Sequence, residues 1–198
     1  MRRKAARAPS PQWPWAVLVV VVLAGAAIGI GIALSGGNDG TTPSGGGGAA
    51  VAIDQVRSFD PEGTGPPGEN DGDLPLVTDG DPASAWRTEQ YGDADLAGKS
   101  GVGLVATVAQ PTDLARLDID TPAGGWSARI YVVDGDLPTD LEGWGDAVAE
   151  VNDVTTGTVE VELGGRRGKA VLVWFIRLAP VEDNKFTAQV SGLALRST

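Results

Sequence analysis

Three patterns of apolar and polar positions follow one another along the chain. The first is an unbroken run: residues Trp15 to Leu34 (WAVLVVVVLAGAAIGIGIAL) carry no charge. At 1.5 Å per residue, about 20 residues span roughly 30 Å, the hydrocarbon thickness of a bilayer. This run predicts one transmembrane helix over 15–34. The second pattern has nothing to bury. Residues 35–48 (SGGNDGTTPSGGGG) are Gly, Ser, Thr, Pro, Asn and Asp only. Such a composition cannot offset its own ordering entropy, and it predicts a flexible linker with a reach of roughly 20 Å. The third pattern, from Ala49 to Thr198, is alternation in short segments.

Those segments predict strands. Ala50 to Val56 (AVAIDQV) alternates, and Val102 to Ala109 (VGLVATVA) is apolar between Gly101 and Pro111. Leu114 to Ile119 sets Leu, Ala, Leu and Ile against Arg and Asp, and Trp126 to Val133 ends at an Asp-Gly turn signal. Thr158 to Leu163 (TVEVEL) alternates strictly, which predicts one wet and one buried face. Lys169 to Leu178 (KAVLVWFIRL) is nearly all apolar, the mark of a central strand covered on both faces. The GGRRG between those two segments predicts a hairpin loop. Ala147 to Val151 is a further short strand, Phe186 to Leu195 a last one, and Leu141 to Trp144 a single helical turn. About eight short strands separated by Gly, Pro and Asp predict an all-β fold, a jelly-roll β-sandwich after one N-terminal transmembrane helix. First and last strands should pair, bringing both termini to one end. Asp60 to Asp73 (DPEGTGPPGENDGD) reads as an exposed loop. The organisation is then a tail (1–14), a helix (15–34), a linker (35–48) and one domain (49–198).

Charge orients this arrangement. Arg2, Arg3, Lys4 and Arg7 precede the apolar run, and the next cation is Arg57. The excess of cations on one flank predicts a cytoplasmic N-terminus and an extracytoplasmic C-terminal domain in a single-pass cell-membrane protein. Trp13 and Trp15 stand where indoles favour the interface. A cleavable signal peptide, cut near Ala33-Leu34-Ser35, is the alternative to an uncleaved signal anchor. The run is long for a signal-peptide core. Gly25 and Gly29, echoed by Ala27 and Gly31, offer a face for a weak helix-mediated homodimer.

Composition narrows the chemistry. The chain has no Cys and no His, which excludes disulfides, thiolate sites and any Ser-His-Asp triad. Past Arg7 it holds 11 cations against 26 acids, a net charge of −15. A domain so acidic repels nucleic acid and anionic headgroups.

The string LPLVTDGDPASAWRTEQY, residues 74–91, resembles discoidin-like (galactose-binding-like) domains, in which an Asp-Gly-Asp turn is followed by a small residue and a Trp. A closer resemblance is to the extracellular domain attached to actinobacterial MviN-type and pseudokinase membrane proteins. Further matching blocks follow in order: Gly101-Val102-Gly103-Leu104, Leu141-Glu142-Gly143-Trp144 and Val171 to Phe175. The resemblance covers about residues 50–196 and implies a galactose-binding-like jelly roll that recognises carbohydrate or cell-envelope ligands. Where those relatives carry a kinase or flippase region before the helix, this chain is expected to have only a cytoplasmic tail of about a dozen residues. In sugar-binding relatives a final-strand Glu completes a Ca²⁺ site beside the turn, and the matching position here is Gly192. Asp79 and Asp81 could still hold a Ca²⁺, but the loss of that ligand argues for no cofactor, and both carboxylates suit local turn capping.

Tyr91, Trp126 and Trp86 are the aromatic candidates for contact with a sugar ring, with Trp86 also suited to the core. Arg87, beside Glu89, is the polar candidate, for a ligand carboxylate or hydroxyl or for an ion pair with Glu89 or Asp81. Trp144 is a weaker aromatic candidate, and Trp174 reads as core. Asp93 and Asp95 are spaced like a carboxylate pair, yet 26 acids make such pairs common, and no catalytic residue is expected. Two functions remain open: a module binding envelope glycan or another surface ligand, and a non-catalytic assembly protein docking onto a membrane or envelope partner.

Overall fold

The computed structural model describes residues 48–64 and 68–198. The predicted transmembrane helix, its GxxxG face and all but the last residue of the linker lie outside the described residues. Among the described residues no helix is long and apolar enough to cross a membrane.

Two long strands organise the domain. β4 (Val102–Thr121) and β7 (Gly157–Arg177) pair antiparallel along almost their whole length. The predicted GGRRG hairpin is therefore wrong: these residues lie inside β7, and the chain does not turn back. Gly164 and Gly165, with φ of 67° and 69°, absorb a register shift instead of reversing direction. The break predicted at Pro111 is likewise only a shift. Thr107 faces Ala170, Thr112 faces Gly168, and the residues between have no ladder partner, so the missing N–H of Pro111 costs no bond.

These irregularities bend the pair, and each half belongs to a different part of the sandwich. The first half of β4 pairs with β2 (Gln55–Phe59) and with the second half of β7, which continues to β5 (Ser127–Val133) and β6 (Ala149–Val151). The second half of β4 pairs with the first half of β7 and with β11 (Gly192–Ser197), which pairs with β1 (Ala50–Val51). Ala50 lies opposite Arg196, so first and last strands pair as expected and share one end. The single strands predicted over 50–56 and 186–195 are each divided. Asp54 leaves the first to bond Thr107. The second splits into β9 (Phe186–Thr187), β10 (Gln189–Val190) and β11, with β9 paired to β8 (Ala179–Pro180).

Inward residues of both halves form one core, including Leu104, Ala106, Ile130, Val173 and Phe175 from one side and Leu117, Ile119, Val161, Leu193 and Leu195 from the other. A second cluster lies on the opposite face of the first sheet. Val105, Tyr131, Leu172 and Trp174 meet Phe59 and Trp144 there, under a segment whose 3₁₀ turn, Glu142–Trp144, ends in the indole. Val171 to Phe175 is apolar throughout because both its faces are covered. Gly101 and Gly103 belong to this packing: a Cβ on Gly101 would stand 2.4 Å from the Trp174 ring, and one on Gly103 2.6 Å from Leu172.

Candidate functional site

β11 runs from Gly192 to Ser197, away from the loops and toward the end where Ala49 enters. The opposite end gathers the loops that hold the predicted site residues. Its frame is β3 (Trp86–Arg87), which pairs with β10: Trp86 faces Val190, and Arg87 faces Gln189. The two-residue period of an extended chain separates these pairs. Trp86 and Val190 turn into the core, while Arg87 and Gln189 turn outward.

Two of the aromatic candidates are corrected by this geometry. Trp86 is fully buried, stacks on Phe175 at 6.2 Å and donates its indole N–H to the Glu69 carbonyl at 2.6 Å. Trp126 is also fully buried, meets the same ring edge-on at 5.1 Å and donates to Thr121 Oγ1 at 3.1 Å. Each indole has found apolar neighbours and one acceptor, which is what stabilises a buried Trp. Trp144 and Trp174 are buried as well. Among the described residues every Trp and Tyr is buried, and Phe59 and Phe186 are half-buried.

Arg87 is exposed and makes no ion pair with Glu89 or Asp81, so the pairing expected for it is not formed. It lines an open cleft of about 370 Å³ with Gln90, Glu182, Asp183, Lys185, Thr187 and Gln189. The cleft offers a guanidinium, an ammonium, two carboxamides and two carboxylates. Its one hydroxyl, on Thr187, is buried and already bonded to Thr88. This is an inventory for holding a polar ligand in place.

Tyr91 stands on the other side of the same segment, above a smaller pocket of about 280 Å³ that includes Asp60, Glu69, Glu89 and Lys99. It is nearly buried and presents no free ring. Its hydroxyl donates to Glu69 Oε1 at 2.5 Å and accepts from Lys99 at 3.1 Å, and the ammonium lies 5.3 Å from the ring centre. Lys99 also bonds Asp60 at 2.7 Å and lies 3.7 Å from Glu69. Burial raises the Glu69 carboxyl above its ordinary value despite the bonds from Tyr91 and the Glu89 N–H. Burial, then the Glu69 bond, raises the Tyr91 phenol strongly. Sequence reading missed Glu69 and Lys99. Glu69 sits in GPPGENDG, with no apolar alternation beside it to signal burial.

The Asp-Gly-Asp turn is built from its own side chains. Asp79 Oδ1 accepts the Asp81 N–H at 2.9 Å, Asp79 Oδ2 accepts the Ser84 hydroxyl at 2.8 Å, and Asp81 Oδ1 accepts the Ala83 N–H at 2.9 Å. These bonds, the one from the Asp81 N–H first, hold the Asp79 carboxyl below its ordinary value. The capping role suggested by the turn sequence is the one the side chains adopt. Among the described residues no group of three His, Cys, Asp or Glu side chains is placed to hold a metal. Asp93, of the spaced acid pair, accepts the Ala97 N–H at 2.7 Å.

No known protein family's sequence profile matches the chain. Solved structures are similar in fold. The CBM32 of AlyQ in complex with 4,5-unsaturated mannuronic acid superposes with a TM-score of 0.51 at 12% identity, over 76% of this chain and 99% of that one. Truncated AlyQ with CBM32 and alginate lyase domains gives 0.50 at 11% identity, over 74% of this chain and 32% of that one. This chain therefore spans about a third of that protein. Chitosan-binding module 2 of a chitosanase/glucanase from Paenibacillus sp. IK-5, in complex with chitotriose, gives 0.49 at 15% identity, over 75% and 98%. At these identities the two AlyQ likenesses show the fold alone: a β-sandwich like that of the AlyQ CBM32.

Proposed function

We propose that the chain is a non-catalytic saccharide-binding module, tethered outside a cell membrane by residues 15–34, that holds its ligand in the cleft beside Arg87. The observation that carries this reading is the Arg87–Gln189 pair. It is directed outward by strand register, joined in the cleft by Gln90 and Lys185, and free of ion pairs among the described residues. Guanidinium and carboxamide groups suit hydroxyl and carboxylate oxygens on a sugar ring. The fold shared with the AlyQ module bound to 4,5-unsaturated mannuronic acid supports the ligand class. The narrower resemblance to actinobacterial MviN-type and pseudokinase ectodomains favours an envelope glycan. Ligand recognition here would rest mainly on polar contacts, since every described Trp and Tyr is spent on packing.

With no described Trp or Tyr open for stacking on a sugar, the loop end also admits a second reading, in which it docks onto an envelope protein. One experiment separates them. The full chain in detergent micelles is titrated by calorimetry with neutral, amino-sugar and uronic-acid oligosaccharides. Saccharide binding that weakens about tenfold or more in R87A, with an unchanged melting temperature, supports the module. Failure of every saccharide to bind the folded chain overturns it in favour of the protein partner.

A further inference from the structure

The segment that carries Arg87 is short: its ladder with β10 is two residues long. Two bonded pairs do not by themselves fix a strand. Backbone bonds also hold the segment, from the Thr88 N–H to the Ala188 carbonyl at 3.1 Å and between Tyr91 and Phe186 at 3.0 and 3.1 Å, and the Thr88 hydroxyl meets that of Thr187 at 3.0 Å. Four further hydrogen bonds come from two consecutive residues of the loop before it. The Glu69 carbonyl accepts the Trp86 indole N–H at 2.6 Å. The Asn70 amide donates to the Arg87 carbonyl at 3.0 Å. Glu69 Oε2 accepts the Glu89 N–H at 2.6 Å, and Glu69 Oε1 accepts the Tyr91 hydroxyl at 2.5 Å. The contacts therefore reach residues 86, 87, 89 and 91 in turn. Asn70 takes a left-handed backbone, φ 54° and ψ 50°. That conformation is uncommon outside Gly and tolerated by Asn. Glu69 is buried to 1% exposure.

We infer that Glu69 and Asn70 act as a clasp whose role is to position Arg87, and that both are positioning residues for the ligand cleft. The inference rests on the saccharide reading for its effect on affinity, but the clasp itself does not. Burial alone does not require a carboxylate at residue 69. An apolar side chain would fill the space, leaving the Glu89 N–H and the Tyr91 hydroxyl without their acceptor. Asn70 contributes one bond to the carbonyl of Arg87 itself, so it separates positioning from packing. N70G retains the left-handed backbone at no steric cost and removes only the amide. E69Q can still accept the Glu89 N–H and can donate to the Tyr91 oxygen, whereas E69A does neither.

The test uses the full chain in detergent micelles, with two readouts. Amide hydrogen exchange over residues 86–91 is followed by mass spectrometry, and affinity is measured for whichever uronic-acid, amino-sugar or neutral oligosaccharide binds the wild type. The clasp predicts faster exchange in N70G and E69A, wild-type exchange in E69Q, and an affinity loss of about fivefold in N70G at unchanged melting temperature. Wild-type exchange in both N70G and E69A overturns the clasp. So does an N70G affinity loss that only tracks a fall in global stability. If no oligosaccharide binds the wild type, the saccharide reading fails while the exchange data still decide the clasp.

Discussion

The two halves of β7 are one continuous strand in two different environments. From Ala170 to Phe175 both faces are buried, one in the central core and one beneath Trp144 and Phe59. From Thr158 to Leu163 only one face is buried: Val161 and Leu163 turn inward, and Thr158, Glu160 and Glu162 face water. The same division runs across the neighbouring strands. On the wet side Asp118 binds Arg116 at 2.7 Å and Arg196 at 3.1 Å, and Arg116 reaches Glu160 at 3.2 Å, so three adjacent strands are linked by charge. On the dry side the same positions hold Leu172, Trp174 and Tyr131. Identical backbone pairing thus supports two chemistries, and the difference lies in whether a loop crosses the outer face.

The comparison can be broken by substitution. W174A should have the largest effect. It removes a fully buried indole that meets Phe59 edge-on at 5.6 Å, and it should destabilise the domain by about 3–5 kcal/mol in chemical denaturation. A loss under about 1 kcal/mol would mean that the outer cluster is not cooperative with the core. D118A comes next. Its carboxylate is one-tenth exposed between two guanidiniums, and its removal should cost about 1–3 kcal/mol in the same chemical denaturation.

The buried acid at the loop end makes stability depend on pH. Glu69 is raised by burial, so the folded chain holds this proton more tightly than the unfolded chain. Its contribution to stability is full below the ordinary glutamate value and is lost as pH rises through the raised one. The melting temperature of wild type relative to E69Q should therefore fall between pH 4 and pH 8, by less than the D118A effect. A flat difference would show that the bonds from Tyr91 and the Glu89 N–H cancel the effect of burial, and a rise would show that they outweigh it. The smallest effect belongs to E162A, on the wet face of β7, which should stay within about 0.5 kcal/mol of wild type by the same denaturation assay.

Much of the architecture was legible in the chain. Alternation in TVEVEL announced a strand with one wet face, and the unbroken KAVLVWFIRL announced one covered on both, because side chains on a strand point to opposite faces in turn. The pairing of first and last strands was also anticipated. GGRRG was misread because a Gly pair serves a bulge as well as a hairpin. Only the partner strand, β4, running past it distinguishes the two. The candidate site was legible only in part. Arg87 was singled out from its place beside the turn; Trp126 was given a ligand-facing role that its packing against Phe175 precludes, and Trp86, read both as a ligand contact and as core, is core.

The sequence by itself determined the strand periods, the acidic charge, the absence of His and Cys, and the self-capping turn at Asp79 to Ser84. These are local properties, read from neighbours within a few residues. The tertiary structure alone decided which aromatics are buried, that Glu69 meets Tyr91 across 22 positions, and that Arg87 and Gln189, side by side on paired strands, line one open cleft. Burial and long-range hydrogen bonds depend on which segments pack together, and residues far apart in the chain leave no local pattern to announce their meeting.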